Sequence, residues 1–236
     1  MIKVMILGLP RTATTRLYAD VCAALKQRED VICLLEPTNI EVMKHVVSGV
    51  KHTHDVVGEV PLDYGRLPYV FVLRMLSNAS WMEEWGKKHV PTKPFCGPDI
   101  FNILNAIERM RNPAVIKDVH LWVYLPKLVF RLSRTKFVVT LRAFNAWLAS
   151  MLKRVKIIDN PMDKAGVGKF FRYVMDGKYY PITNDETLRK ECEVIYRFYR
   201  ALVMGVKDEP NVLIVDFNDK LSPDLIDYTV KWVLMG

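Results

Sequence analysis

The chain has 236 residues, half of them hydrophobic and a quarter charged, and 34 basic against 26 acidic side chains leave a formal charge of +8. That apolar content, with only 11 Gly and 13 Pro, excludes a disordered, collagen-like or low-complexity chain and suits one α/β domain with a sizeable core. The positive charge calls for an anionic partner without choosing among nucleic acid, a phosphorylated cofactor, an acidic or sulfated acceptor and a membrane surface.

In chain order, the first apolar run is Ile2–Leu7, too short for the core of a signal peptide, and it reads as a buried strand. No run approaches the roughly 20 apolar residues that span a bilayer. Leu17, Val21, Ala24 and Leu25 mark a helical stripe after that strand, and the helix is expected to begin at Leu17. Further strands are expected at Val31–Leu35, Ala114–Lys117, Lys136–Leu141 and Asn211–Phe217, with a second helical stripe of Cys192, Ile195, Tyr196, Tyr199 and Leu202 before the last. Short apolar runs with little alternation suit strands covered on both faces. The expectation is a single three-layer α/β/α domain around a mainly parallel sheet of about five strands with right-handed crossovers. Two stretches break the alternation, 38–112 and 153–186. Ligands of such sheets lie beyond the carboxyl ends of the strands, so these insertions are expected to form substrate walls and a lid, with ordinary helical packing as the alternative for 38–112. The four cysteines, Cys22, Cys33, Cys96 and Cys192, have no C-x-x-C spacing, which argues against a disulfide framework or a zinc cluster and makes a reducing cytoplasm the expected location.

The segment most informative about chemistry is Gly8-Leu-Pro10-Arg11-Thr12-Ala13-Thr14-Thr15. A strand that ends at a glycine, a short loop and a helix together aim backbone N–H groups and the positive end of a helix dipole at one point, which makes an anion site. The register is nearly that of G-x-x-x-x-G-K-[ST], with Ala13-Thr14-Thr15 standing where Gly-Lys-Thr would be. Without that lysine, an ordinary ATPase or GTPase is disfavoured. Arg11 supplies the charge instead, and Thr12, Thr14 and Thr15 supply hydroxyls. The structural alternative is a threonine-capped turn.

This loop resembles the G-x-P-[KR]-[ST]-G-T-T loop of the sulfotransferase family. The resemblance implies a P-loop NTPase-like fold and binding of the 5′-phosphosulfate of 3′-phosphoadenosine-5′-phosphosulfate (PAPS) by Pro10, Arg11, Thr12, Ala13, Thr14 and Thr15. Ala13 stands where the family has glycine; its methyl is tolerated if the backbone there stays helical and otherwise crowds the phosphate. A second segment, Lys136–Ser150, is similar to the family's strand, arginine and helix that hold the 3′-phosphate. Arg142 and Ser150 keep the eight-residue spacing, while Ala143 and Phe144 replace the usual acidic or amide residue and proline. The planar fork of an arginine matches phosphate on chemical grounds alone. Val115–Leu121, Asn211–Phe217 and Leu221–Asp224 resemble further family segments in the expected order. The basic loop that many members set against the 3′-phosphate would have to come from 153–186.

Sulfuryl transfer needs a base for the acceptor proton and cations for the charge that builds on the leaving phosphate. The resemblance implies that Arg11 neutralises the leaving group. Glu36, after the second strand, and His120, after the third, are the two candidate bases, and Lys117 is a candidate partner for the developing charge. Each also has a purely structural reading, Lys117 as half of a surface salt bridge. The expected donor is PAPS, with 3′,5′-adenosine bisphosphate (PAP) as product, a small-molecule or carbohydrate acceptor and no metal. Among His45, His52 and His54, the pair His52 and His54 with Asp55 could share one face of a strand as zinc ligands, but the spacing supplies no fourth ligand. The basic groups Lys87-Lys88-His89, Arg131/Arg134 and Lys153-Arg154-Val155-Lys156 read as solvated helix faces, the last within reach of the nucleotide. Phe170, Phe171, Tyr179 and Tyr180 are candidates for stacking on adenine. Tyr69, Phe71, Trp81, Trp85 and Phe95 are candidates for an acceptor pocket; both aromatic groups read equally as core. The rivals are a P-loop nucleotide kinase, a non-catalytic nucleotide-binding protein on the same fold, and a charge-driven nucleic-acid binder.

Overall fold

The structure, a computed structural model, describes residues 1–9, 12–37, 63–67, 98–119, 121–157 and 185–235. All five expected strands form: β1 (Ile2–Gly8), β2 (Ile32–Leu35), β3 (Ala114–Asp118), β4 (Lys136–Arg142) and β5 (Val212–Phe217). They make one sheet in the order β2-β3-β1-β4-β5, and every neighbouring pair is parallel. The described helices are α1 (Thr14–Lys26), α2 (Pro98–Glu108), α3 (Leu125–Arg131), α4 (Phe144–Ile157), α5 (Asp185–Met204) and α6 (Pro223–Leu234), with 3-10 turns at Asp63–Arg66 and Leu121–Tyr124.

Alternation along the strands sorts the apolar side chains into two cores, one on each face of the sheet. Ile32, Leu34, Ala114, Ile116, Phe137 and Val139 point to one face, where α2, α3, α4 and α5 bring Leu104, Leu128, Trp147 and Tyr199. Cys33, Leu35, Val115, Val138 and Val215 point to the other, under Leu17, Val21 and Leu25 of α1 and Ile226 and Val233 of α6. This is the three-layer α/β/α arrangement around a parallel sheet that is expected from the sequence. In β1 the period slips: Ile2 shares a core with Met5 and Leu7 while Val4 and Ile6 face the other way, because the β1–β3 register shifts between Ile2 and Val4. Helix α6 starts where Leu221-Ser-Pro-Asp predicts, with Ser222 Oγ accepting from the Leu225 N–H at 3.2 Å and Pro223 in the first turn.

Two expectations are corrected. Helix α1 starts at Thr14, not at Leu17, so the loop after β1 is shorter and two of its threonines belong to the helix. Cys22 and Cys33 form a disulfide, which the cysteine spacing did not suggest. The two sulfurs meet because α1 crosses one face of the sheet and the chain returns directly as β2 beneath it. Residues 11 apart in sequence thus lie 6.3 Å apart at Cα, a separation a disulfide spans without distortion. Among the described residues, no helix is long and apolar enough to cross a membrane.

Candidate functional site

The carboxyl ends of the strands carry nearly every described residue singled out by sequence. Along that edge the order is Glu36 after β2, Lys117 and Asp118 on β3, Gly8 and its loop after β1, then Thr140 and Arg142 on β4. Neighbouring strands are about 4.8 Å apart, so Glu36 and Arg142 stand three strand spacings, roughly 14 Å, from one another with the β1 loop between them.

The β1 loop is built around a close approach. Gly8 sits opposite Thr140 in the β1–β4 register. A Cβ at Gly8 would collide with Oγ1 of Thr140, lie 2.6 Å from Oγ1 of Thr12 and 2.9 Å from Cγ2 of Thr14, so only glycine fits. Thr12 is fully buried: its hydroxyl donates to the Leu9 carbonyl at 2.6 Å and lies 2.7 Å from Thr140 Oγ1, and its N–H donates to the same carbonyl at 3.2 Å. Thr140 Oγ1 also reaches the Leu7 carbonyl at 3.4 Å, so its single proton serves two neighbouring acceptors. Thr12 therefore shapes the loop from inside in this conformation. Ala13 follows in the left-handed region at φ 58° and ψ 15°. Its carbonyl accepts the Leu17 N–H at 3.2 Å and opens α1. Neither the Ala13 side chain nor an acidic residue of the first turn caps α1, so the amides of Thr14, Thr15 and Arg16 present the positive end of the helix to whatever lies over the loop.

The second constellation joins β2 and β3. Lys117, for which a surface salt bridge was the alternative reading, is 2% exposed and ion-paired with Glu36, itself 3% exposed. Glu36 is the other non-glycine residue described at positive φ, 48°, and its N–H donates to the Lys117 carbonyl at 2.6 Å. Asp118, which sequence reading passed over, is completely buried and lies opposite Leu7, the residue before Gly8. A charged pair ending an otherwise apolar strand was the signal that could have found it. Tyr64, from the 38–112 insertion, donates its phenolic proton to the Leu35 carbonyl at 2.8 Å. Burial pushes that phenol well above its ordinary range, and the nearby Asp118 and Glu36 carboxylates add to the effect.

The third constellation is at the end of β4. Arg142 donates from Nη2 to the Asp219 carbonyl at 2.7 Å and from Nε to the Asn218 carbonyl at 3.4 Å, which ties β4 to the loop after β5. Tyr196 and Tyr199 of α5 donate to the carbonyls of Arg142 and Thr140 at 2.7 and 2.6 Å, so the strand end is held from above by a helix. Ser150 lies half-buried on α4, two turns beyond its start. Arg131 is exposed, with its guanidinium 4.7 Å from the Phe101 ring centroid. Pro10, Arg11 and His120 lie outside the described residues, as do His45, His52, His54, Asp55, the Lys87–His89 group, Phe170, Phe171, Tyr179, Tyr180 and the aromatic residues between 69 and 95. Lys153, Arg154 and Lys156 fall in the last turns of α4.

No protein-family model matches the chain, and no curated protein matches it in sequence. Among solved structures it is similar, over 99% of its length, to a gluconokinase from Sinorhizobium meliloti, with 10% identity, 92% of that chain covered and a TM-score of 0.42. A shikimate kinase from Bacteroides thetaiotaomicron matches 99% of this chain at 12% identity, with 97% of its own length covered and a TM-score of 0.41. A retinol dehydratase solved with androsterone and the inactive cofactor PAP matches 98% of this chain at 14% identity and a TM-score of 0.37, and 64% of its length is covered. Likeness this distant says nothing of activity.

Proposed function

We propose that this chain is a PAPS-dependent sulfotransferase built as one P-loop-like domain, acting on a hydroxyl- or amine-bearing small molecule or carbohydrate. The observation that carries the reading is the arrangement along the strand ends. An uncapped helix N-terminus without a lysine at position 14 is flanked on one side by Arg142 and on the other by the Glu36–Lys117 pair. A doubly phosphorylated nucleotide needs two anion positions, and the β1 loop and the end of β4 offer them on adjacent strands. The opposite side of the loop, toward β3 and β2, is then left for the acceptor.

In that reading the amides of Thr14, Thr15 and Arg16, with the Thr14 and Thr15 hydroxyls and Arg11, hold the 5′-phosphosulfate. Arg142 and Ser150 take the 3′-phosphate, which requires the Arg142 fork to share or exchange its present carbonyl partners. Transfer forms a bond from the acceptor oxygen or nitrogen to sulfur and breaks the bond from sulfur to the bridging phosphate oxygen, releasing PAP. The acceptor proton passes to Glu36 or His120. Lys117 and Arg11 stabilise the charge on the departing oxygens. The 38–112 and 153–186 insertions are proposed to supply the acceptor wall and the lid.

A P-loop nucleotide kinase is the second reading, favoured by one observation: Asp118 places a buried carboxylate one strand from the phosphate loop, where a divalent cation bridging to phosphate would offset the repulsion. Calorimetric titration with PAP beside ATP–Mg²⁺ separates the two. Tighter binding of PAP without metal is expected; preference for ATP–Mg²⁺ sinks the sulfotransferase reading.

A further inference from the structure

We infer that Tyr64 is a positioning residue for the Glu36–Lys117 pair, acting through the single peptide unit that joins Leu35 to Glu36. Both polar groups of that unit are held from opposite sides. Its carbonyl accepts from the Tyr64 hydroxyl at 2.8 Å, and its N–H donates to the Lys117 carbonyl at 2.6 Å. With the plane of the peptide pinned twice, one side of the torsion that follows it is fixed, and Glu36 lies at φ 48°. A non-glycine residue stays in that region only where its surroundings over-determine it. The left-handed turn brings the carboxylate back onto β3, where it meets the Lys117 ammonium.

The turn that carries Tyr64 is itself fastened along the outer edge of the sheet. β2 is a terminal strand of the five, so among the described residues its outward N–H and C=O groups have no neighbouring strand. Side chains of Asp63–Arg66 take that place. Asp63 accepts from the Cys33 N–H at 2.8 Å, Arg66 donates to the Val31 carbonyl at 2.9 Å, and Tyr64 takes the Leu35 carbonyl. Asp63 also pairs with Lys26 of α1 at 2.8 Å, and Arg66 with Asp30 at 2.5 Å. Tyr64 is thus not a loose contact from an insertion but the last rung of a ladder of side chains, and the rung nearest the proposed acceptor side. A phenylalanine keeps the ring and removes only the donor.

Competitive labelling of lysines with a limiting pulse of acetic anhydride, read by peptide mass spectrometry on the intact chain, measures how well Lys117 is enclosed. In Tyr64→Phe the Lys117 labelling rate is expected to rise about tenfold, the equivalent of one lost buried hydrogen bond, with Lys136 unchanged. A structural role unrelated to Glu36 would act regardless of that carboxylate. The double variant Tyr64→Phe/Glu36→Gln is therefore expected to label like Glu36→Gln alone. Unchanged Lys117 labelling, equal rises at Lys117 and Lys136, or full additivity in the double variant would each overturn the inference. Should Tyr64→Phe fail to accumulate, amide exchange on the unaltered chain decides. The Glu36 amide is expected to exchange as slowly as those of β3, and rapid exchange there is fatal to the idea. The inference rests on the sulfotransferase reading only for the use to which the pair is put. PAP titration of the same samples keeps the two apart: absent PAP binding sinks that reading, while the labelling still judges Tyr64.

Discussion

Ala13 holds a left-handed turn that glycine would hold without strain. At φ 58° its methyl costs about 1–2 kcal/mol, and replacing it with glycine adds back about 0.4–1 kcal/mol of unfolded-state freedom. Ala13→Gly is thus expected to leave stability unchanged or raise it by up to about 1.6 kcal/mol, and to tighten PAP binding by removing a methyl from the loop. Urea unfolding and calorimetry check both. A clear loss of stability would mean residue 13 is not left-handed. Gly8 behaves in the opposite way. The Cβ of Gly8→Ala strikes the Thr140 and Thr12 hydroxyls, an overpacking that costs about 1–3 kcal/mol. Thr140→Ala clears the nearer obstacle, so the double variant is expected to be more stable than the two single losses added together. Strict additivity would show that the alanine is accommodated elsewhere. The importance of both positions was visible in the sequence, since the motif places glycine at each. The conformation of Ala13 was not, because the expectation turned on a helical backbone and helix α1 begins one residue later. The inward turn of Thr12 was equally hidden: it depends on Thr140, 128 residues away, coming opposite Gly8.

At the level of elements, strands buried on both faces advertise themselves as short β-branched runs, and the five expected segments match the five observed to within a residue or two. What the runs do not contain is lateral order. Lys117 and Glu36 read as separate candidates because nothing local says that β2 lies beside β3 with Leu35 opposite Lys117. The Cys22–Cys33 bridge was missed for the same reason, since it depends on where α1 crosses β2. That bridge closes a short loop between the helix that opens the proposed phosphate site and the strand that leads to Glu36. In the chain-entropy picture it contributes about 3 kcal/mol. Reduction, or Cys33→Ser, is expected to lower the melting temperature by about 6–12 °C for a chain of this size. Thiol titration of the unfolded, unreduced protein should find two reactive cysteines fewer than after reduction. A full count of thiols without reductant would show that the pair is not bridged in solution.

Taken over the whole molecule, the charge of +8 matters less than where Arg142 stands at the end of β4. A generic polyanion site would spread its cations over a surface, and affinity would fall steeply with salt on any duplex. Here one strand end offers helix amides and its neighbour offers Arg142, and in the proposed reading that pair is what selects a ligand with phosphate at two ends. Binding to the folded chain alone raises stability by about 2.7 kcal/mol at a hundredfold excess over Kd, or about 5–10 °C of melting temperature at this length. PAP should therefore protect the unaltered protein more than adenosine 5′-monophosphate at equal concentration. Arg142→Ala removes the donors proposed for the 3′-phosphate and also releases the carbonyls of Asn218 and Asp219, which lie at the surface and can turn to water. The variant should keep its fold with a small loss of melting temperature, and the difference between PAP and the monophosphate should vanish. Because the two nucleotides are compared within one variant, a general loosening of the loop after β5 cancels, and only the loss of a 3′-phosphate contact changes their ratio. If Arg142→Ala still prefers PAP by the original margin, the second anion position lies elsewhere, and the case for reading β4 as the nucleotide's far wall falls with it.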